Sequence, residues 1–401
     1  LGSALGDPSS WGRLSAPSGA RSLPGDILAR AFAEPDDGAA GRAQAEAMAR
    51  DVAEIAVQLA APLDGGDVDL GPRLVAGIVR AIGRSSLPGR FRDLRRARRF
   101  LAAVRPAALF LINEYSRTEW VGAARMEGIP VVAVQHGIIH RHHPGYVHGL
   151  PDPAMPLPDR LYLFGEYERR LLTTRSVQPA ESLRVVGSPR LDVAATKRAD
   201  GTDARDAIRR ELGVAPADRL LAISTTFGPP RAIYTPASLA ALLGGDLAGV
   251  HLVVKTHPNE PDDGLHARLI DGLRATLGVP PARLTVIQAI DLYALLAAAD
   301  AHLGIFSTVL TEAVAVGTPN LLAVTQATND LIGYVEAGVA VPVRDAAELR
   351  IELDRIFAGP ATDQDKRAAF LADHFEPGGA SARIREDLVA WLASPTPSGD
   401  G

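Results

Sequence analysis

Apolar and polar positions follow two different patterns along this chain. Between residues 26 and 104 apolar residues recur every three or four positions: Ala45, Met48, Val52, Ile55 and Leu59 fall on one face, and Leu74 to Ile82 continue in kind. That spacing predicts amphipathic helices and no strands. From Ala107 onward short β-branched runs alternate with helical stretches. Strands are expected at Ala108–Ile112, Val131–Val134, Arg160–Phe164 and Leu183–Val186, with helices over Arg117–Glu127 and Tyr167–Thr174. Runs that are apolar on both faces fit strands covered on both sides, and strand–helix alternation predicts a parallel sheet wound with helices.

Lys197 to Asp203 is polar enough to read as a linker, and beyond it the same alternation starts again. Five more strands are expected at Leu220–Ser224, Val250–Lys255, Leu284–Ile287, Ala301–Ile305 and Asn320–Val324. Helices are expected at Asp345–Phe357, Lys366–Phe375 and Ala380–Leu392. The fold class that follows is α/β, with two doubly wound Rossmann-like domains facing a cleft and a helical region in front. Residues 1–24, rich in Gly, Ser and Pro, are expected to be disordered or loosely attached. A first domain is expected over 25–200, helical over 25–104 and Rossmann-like over 105–195, and a second over 201–378. Residues 379–393 form a last helix that could pack back on the first domain.

Composition narrows the function. A chain of 401 residues exceeds one ordinary core, and 47% hydrophobic residues suit globular folding. A net charge of -5 gives no reason to expect nucleic acid as a partner. The absence of cysteine excludes a disulfide framework and a thiolate zinc site. No apolar run approaches the roughly 20 residues of a membrane span, so a cytoplasmic location is expected. One local departure is basic. Arg90, Arg92, Arg95, Arg96, Arg98 and Arg99 crowd a helix whose apolar residues are Phe91, Leu94, Phe100 and Leu101. Such a helix can make a peripheral contact with an anionic membrane, or be a solvated face.

Three stretches carry candidate chemistry. Five of the ten histidines lie between His136 and His148, directly behind the strand Val131–Val134. Gln135, His136 and Gly137 would stand at its carboxyl end, where open sheets bind ligands, and Gly137 leaves room for a close approach. His140, His143 and Tyr146 continue the loop; the bland alternative is a turn with solvated imidazoles. Next, Lys255, His257 and Pro258 follow a strand, and the Lys and His side chains suit phosphate oxygens. Last, Ser307 and Thr308 open a helix behind another strand. Ser307 is a good N-cap, the free amides form an anion site, and Glu312 one turn in could accept the hydroxyls of a ribose. Ser224 and Thr225 end the second domain's first strand and could reach the same phosphates.

Together, Gln135-His136-Gly137, Lys255 with His257 and Pro258, Ser307 and Thr308 with Glu312, Gly317 and Pro319, and the tail Gly379, Arg383 and Ile384 resemble the GT-B glycosyltransferases of bacterial surface-polysaccharide assembly. Capsule β-Kdo transferases and CDP-glycerol glycerophosphotransferases are groups that the chain resembles, and the resemblance covers residues 107–392. It implies a nucleotide-activated donor on the C-terminal domain, with a cytidine nucleotide favoured, and an acceptor on the N-terminal domain. It implies no metal and no other cofactor. His257, Pro258, Ser307 and Thr308 match the motifs that touch the donor in such relatives.

The activity expected is transfer of a sugar from a nucleotide to a hydroxyl of a glycan or lipid-linked acceptor. Lys255, His257 and the helix start at Ser307 would stabilise the departing nucleotide. His136 would act as the base, with Glu114 as the next candidate, since an imidazole titrates near neutrality. Three alternatives stand beside it: transfer of a polyol phosphate from a cytidine nucleotide, epimerisation of a nucleotide sugar, and a non-catalytic metal module built on His140, His142 and His143.

Overall fold

The computed structural model describes residues 89–147, 155–199, 201–225, 247–258, 283–305, 307–324, 330–359 and 363–393, with isolated helical positions at 43, 47, 50, 271, 272 and 275. The segment expected to be disordered, 1–24, and most of the helical region over 25–104 lie outside them. Two compact units divide the chain: Leu1–Val134 with Asp152–Leu161, and Gln135–Pro151 with Tyr162–Gly401.

Two parallel sheets flanked by helices form the frame. The first has the order β1-β2-β3-β4, with β1 at Leu109–Ile112, β2 at Val131–Val134, β3 at Arg160–Leu163 and β4 at Leu183–Val185. A helix over 89–104 (α1) and the helix Thr118–Met126 (α2) bury Ala97, Leu101, Val121 and Ala124 together with Val131. Two arginines of the basic run are spent on α2 and its end, Arg90 on Glu119 and Arg98 on Glu127.

The second sheet runs β10-β9-β8-β5-β6-β7: β5 at Arg219–Ser224, β6 at Val250–Lys255, β7 at Leu284–Ile287, β8 at Ala301–Gly304, β9 at Asn320–Ala323 and β10 at Val341–Val343. Every neighbouring pair is parallel. Strand β5 alternates its burial between two cores. Leu221 and Ile223 pack with Leu349 and Leu353 on one face, while Leu220 and Ala222 pack with Leu212 and Leu295 on the other. Burial on both faces is why the strands read as unbroken apolar runs.

Helices α3 (Glu166–Arg175), α4 (Pro189–Ala199), α5 (Gly201–Glu211), α6 (Leu292–Ala298), α7 (Val309–Val316), α8 (Ala346–Ala358), α9 (Gln364–His374) and α10 (Ala380–Ala393) complete the second unit. The expected linker at Lys197–Asp203 is instead the end of α4 and the start of α5. Strand β10 was not expected either; Pro342 at its centre is tolerated because β10 is an edge. Helix α10 is tied to β3 and the start of α4: the Tyr162 hydroxyl donates to Asp387 (2.8 Å), the Ala380 amide to Asp192 (2.7 Å) and Arg383 Nε to the Val186 carbonyl (2.9 Å). No helix among the described residues is long and apolar enough to cross a membrane.

Candidate functional site

Strand order in the second sheet reverses between β5 and β8. The chain moves from β5 through β6 and β7 to one side, then returns to β8 and builds β9 and β10 on the other. Ligands of open α/β sheets bind outside the strand carboxyl ends at such a reversal, where neighbouring connections leave in opposite directions. Here β5 ends in Ser224 and Thr225, and β8 leads through Ser307 and Thr308 into α7.

Helix α7 starts as expected. Ser307 Oγ accepts from the Val309 amide at 3.1 Å, and Thr308 already has helical dihedrals (φ -55°, ψ -21°). This is the two-residue reach of an N-cap hydroxyl. At the other end Arg367 donates through Nε to the Val314 carbonyl (2.6 Å) and through Nη2 to the Ala315 carbonyl (2.7 Å), adding side-chain donors to the last turn of the helix.

One turn into α7 stands Glu312, only 3% exposed. Its Oε1 meets Arg190 Nη2 at 2.6 Å and accepts from the Tyr293 hydroxyl at 3.4 Å. Its Oε2 is buried and has no hydrogen-bond partner among the described residues. Burial raises the Glu312 pKa, and the Arg190 charge pulls it back down. Leaving a buried acceptor unmet costs about 1–3 kcal/mol, so Oε2 calls for a reason other than folding.

That carboxylate lines a pocket enclosing about 360 Å³ of open space, shared with Gln135, His136, Glu168, Arg190 and Thr308. All of its lining residues belong to the second unit. Three helix starts reach its wall: α3 through Glu168, α4 through Arg190 and α7 through Thr308 and Glu312. The loop behind β2 and the start of α7, separate in sequence, meet here: a Cβ on Gly137 would touch Thr308 Cγ2 at 3.4 Å. The close approach expected at Gly137 is therefore to a protein methyl group.

The loop is held from below by a buried pair. Gln135 donates through Nε2 to the Gly137 carbonyl (2.8 Å) and to Glu168 Oε1 (3.2 Å), while its Oε1 accepts from the Phe164 amide (2.8 Å). Glu168 Oε2 accepts from the Gly165 amide (3.2 Å), closing the first turn of α3. Burial pushes the Glu168 pKa up to about 8 against the Gln135 hydrogen bond. Above this pair His136 is exposed to solvent; partial burial of its ring lowers its pKa first, and the Arg190 charge lowers it further. A neutral imidazole thus faces the pocket at neutral pH.

Arg190 owes its place to Gly187. That glycine has φ +86°, and a Cβ there would collide with the Glu376 carbonyl oxygen. The chain can turn at this crossing only without a side chain, and it then enters α4 with Arg190 on the pocket wall. Burial disfavours the Arg190 charge, but Glu312 and Tyr293 outweigh it and raise its pKa.

The other expected residues fall elsewhere. Ser224 is 3% exposed, and its hydroxyl lies 2.9 Å from His302 Nε2. Thr225 accepts from the His257 amide (3.0 Å), and Lys255, 8% exposed, donates to the Thr256 carbonyl (2.8 Å). His257 accepts on its carbonyl from Gln288 (2.9 Å), and Pro258 is exposed. These groups cluster at the ends of β5, β6 and β7 and are not part of the pocket wall. Glu114 is buried in a 3-10 turn behind β1, in the first unit.

Within the histidine loop the rings serve one another. His140 and His143 stack edge to face at 5.6 Å, and His143 packs on the buried Tyr146 at 4.9 Å. His140 Nδ1 accepts from the His142 amide and His143 Nδ1 from the Gly145 amide. Burial, aided by His140, pushes the His143 pKa down to about 4. Among the described residues no three His, Cys, Asp or Glu side chains gather as metal ligands, so the metal module is not assembled from His140, His142 and His143. Arg190, Tyr293 and Glu168 were not among the expected site residues. Nothing local marks them; contacts across the unit do.

No family model matches the chain, and no curated protein matches it. Solved structures do share its architecture. Staphylococcus aureus MnaA bound to UDP is 14% identical over 78% of this chain and 84% of its own, with a TM-score of 0.54. A Listeria monocytogenes protein assigned as a UDP-N-acetylglucosamine 2-epimerase is 14% identical over 90% and 96%, also at 0.54. The UDP-GlcNAc 2-epimerase of Methanocaldococcus jannaschii, in complex with UDP-GlcNAc and UDP, is 14% identical over 76% and 81%, at 0.50. At such identities the likeness is one of fold, and the fold is GT-B.

Proposed function

We propose that the pocket of the second unit binds a nucleotide-activated sugar and that the chain is a glycosyltransferase moving that sugar to a hydroxyl of a glycan or other acceptor. The observation that carries this reading is Glu312: a carboxylate kept at the switch point, one oxygen held by Arg190 and the other buried without a partner among the described residues. A ribose hydroxyl supplies the missing donor. The amides of α7 behind Ser307 offer the adjoining phosphate a partial positive charge, which grows in value as the nucleotide departs with its electrons.

In this reading His136 takes the proton of the attacking hydroxyl. Its lowered pKa leaves the ring unprotonated near neutrality, and Gln135, anchored by Glu168, fixes the backbone on either side of it. Calorimetry with UDP, CDP and CMP and their sugar conjugates tests the binding, because two of the structures sharing this fold hold UDP and the sequence resemblance favours cytidine. Tight binding of one base by the wild type, weakened in Glu312→Gln, is the expected result; no binding of any nucleotide by a folded protein overturns the proposal. Product analysis with the bound donor then separates the chemistries. Sugar on an acceptor supports transfer, a C2 epimer formed without acceptor supports epimerisation, and release of CMP from CDP-glycerol supports polyol-phosphate transfer.

A further inference from the structure

The guanidinium of Arg190 is only partly used by the protein. Of its five N–H bonds, Nε donates to the Tyr293 hydroxyl at 3.3 Å and one on Nη2 goes to Glu312. The other three have no partner among the described residues. The side chain is 49% exposed and lines the pocket, although its own ion-pair partner is almost wholly buried. A purely structural arginine buried against a carboxylate would use its planar fork bidentately, with two parallel bonds to both oxygens. Here one Glu312 oxygen is left open, and so is one edge of the fork.

We propose that Arg190 is a ligand-binding residue that reads the phosphate of the nucleotide while it orients Glu312 for the ribose. This rests on the nucleotide reading of the pocket and adds to it a residue and a selectivity. One edge of the guanidinium stays on Glu312 and Tyr293, and the donors of the other edge go to phosphate oxygens. The two unmet groups, a carboxylate oxygen and a set of N–H donors, are then met by the two halves of one ligand. A ligand with only one half, a nucleoside or an inorganic phosphate, leaves a buried or partly buried group unsatisfied and is bound far more weakly. His136 stands beside the same charge, so phosphate on Arg190 would also lessen the field that lowers the imidazole pKa.

The test is a ratio of affinities, measured by calorimetry on the full chain for a nucleoside diphosphate and its nucleoside, UDP with uridine and CDP with cytidine. Arg190→Ala is expected to lower the diphosphate-to-nucleoside ratio by tenfold or more, and Arg190→Lys to restore part of it. Glu312→Gln is expected to weaken both ligands and leave the ratio within twofold of wild type. A ratio unchanged in Arg190→Ala, with both ligands weakened alike, would show that Arg190 serves only Glu312 and would overturn the inference while the nucleotide reading stands. A wild type that binds neither ligand overturns both. Circular dichroism and melting temperature on each variant separate loss of binding from loss of fold.

Discussion

Two polar clusters sit at strand ends of the same sheet, and they are built to opposite rules. In the first, His302 on β8 lies between Ser224 Oγ (2.9 Å) and Asn320 Oδ1 (2.7 Å), and Asn320 Nδ2 donates to the Leu310 carbonyl at 2.6 Å. In the second, around Glu312 and Arg190, an oxygen and several N–H bonds have no partner among the described residues. The first has the members and distances of a nucleophile, base and orienting amide, yet its groups are spent on one another and none of Ser224, His302 and Asn320 lines the pocket. The lesson is that distance alone does not make a site; unmet hydrogen-bonding capacity on an accessible wall does.

The strongest test of this contrast sets the two histidines against each other. His136→Ala is expected to lower kcat roughly 10²–10⁴-fold, the usual worth of a general base, with the melting temperature unchanged because the ring is exposed. His302→Ala should do the reverse, costing on the order of 3 kcal/mol of stability while the folded fraction keeps its turnover. A destabilised but fully active His136→Ala would move His136 into the structural class and leave Glu114 as the next base to test.

Next in size is Glu312→Gln. A hydrogen bond to a charged group is worth about 1.5–3 kcal/mol, so nucleotide affinity should fall roughly 10- to 100-fold. Stability should hold or rise, because a half-satisfied buried carboxylate is replaced by a neutral amide. Loss of melting temperature without loss of affinity would place Glu312 with the saturated cluster.

The frame of the molecule was legible in the sequence because buried parallel strands leave an unmistakable pattern, as in Leu220–Ser224 and Val250–Lys255. What escaped has physical reasons. The first turn of α5, Gly201 to Asp203, fell in the expected linker because its residues are polar; what holds the helix lies farther on, where Arg205 and Arg209 pair with Asp300 beside Ile208. The start of α7 was legible from Ser307, whose hydroxyl accepts from the Val309 amide, and Glu312 was singled out for its place one turn in. Arg190 was not found, since its meaning lies in a carboxylate far along the chain. Gln135 was seen as a pocket residue, but that its amide is spent inside the fold depends on Glu168, which no local signal pairs with it.

Acid should expose the saturated cluster before the open one. Burial pushes the His302 pKa down to about 4, against the Asn320 hydrogen bond. The folded pKa lies below the ordinary value near 6.5, so between the two the unfolded chain binds more protons. Stability is therefore fully present above about pH 6.5 and is lost as pH falls toward 4. His143 and His374, both also lowered to about 4, act in the same window. Thermal melts from pH 7 to 4.5 should show a falling midpoint in the wild type and a shallower fall in His302→Ala. An identical slope in both would mean the ring is not held neutral by its surroundings.

The smallest expected effect decides between two readings of Ser224. Its place at the end of β5 suggested a phosphate ligand; its hydroxyl faces His302. Hydrogen positions follow from the amide of Asn320: with Nδ2 on the Leu310 carbonyl, Oδ1 faces the ring, so His302 Nδ1 carries the proton and Nε2 accepts. Ser224 is then the donor, and the bonds run in one direction from Ser224 through His302 and Asn320 to α7. Ser224→Ala removes the donor and leaves Nε2 buried without it, at a cost of about 1 kcal/mol, a few degrees in melting temperature. Nucleotide affinity should stay within about twofold, since the lost bond touches no ligand. A phosphate ligand would give the opposite result, an unchanged melt with affinity about tenfold weaker, and would extend the open cluster across the switch point to β5.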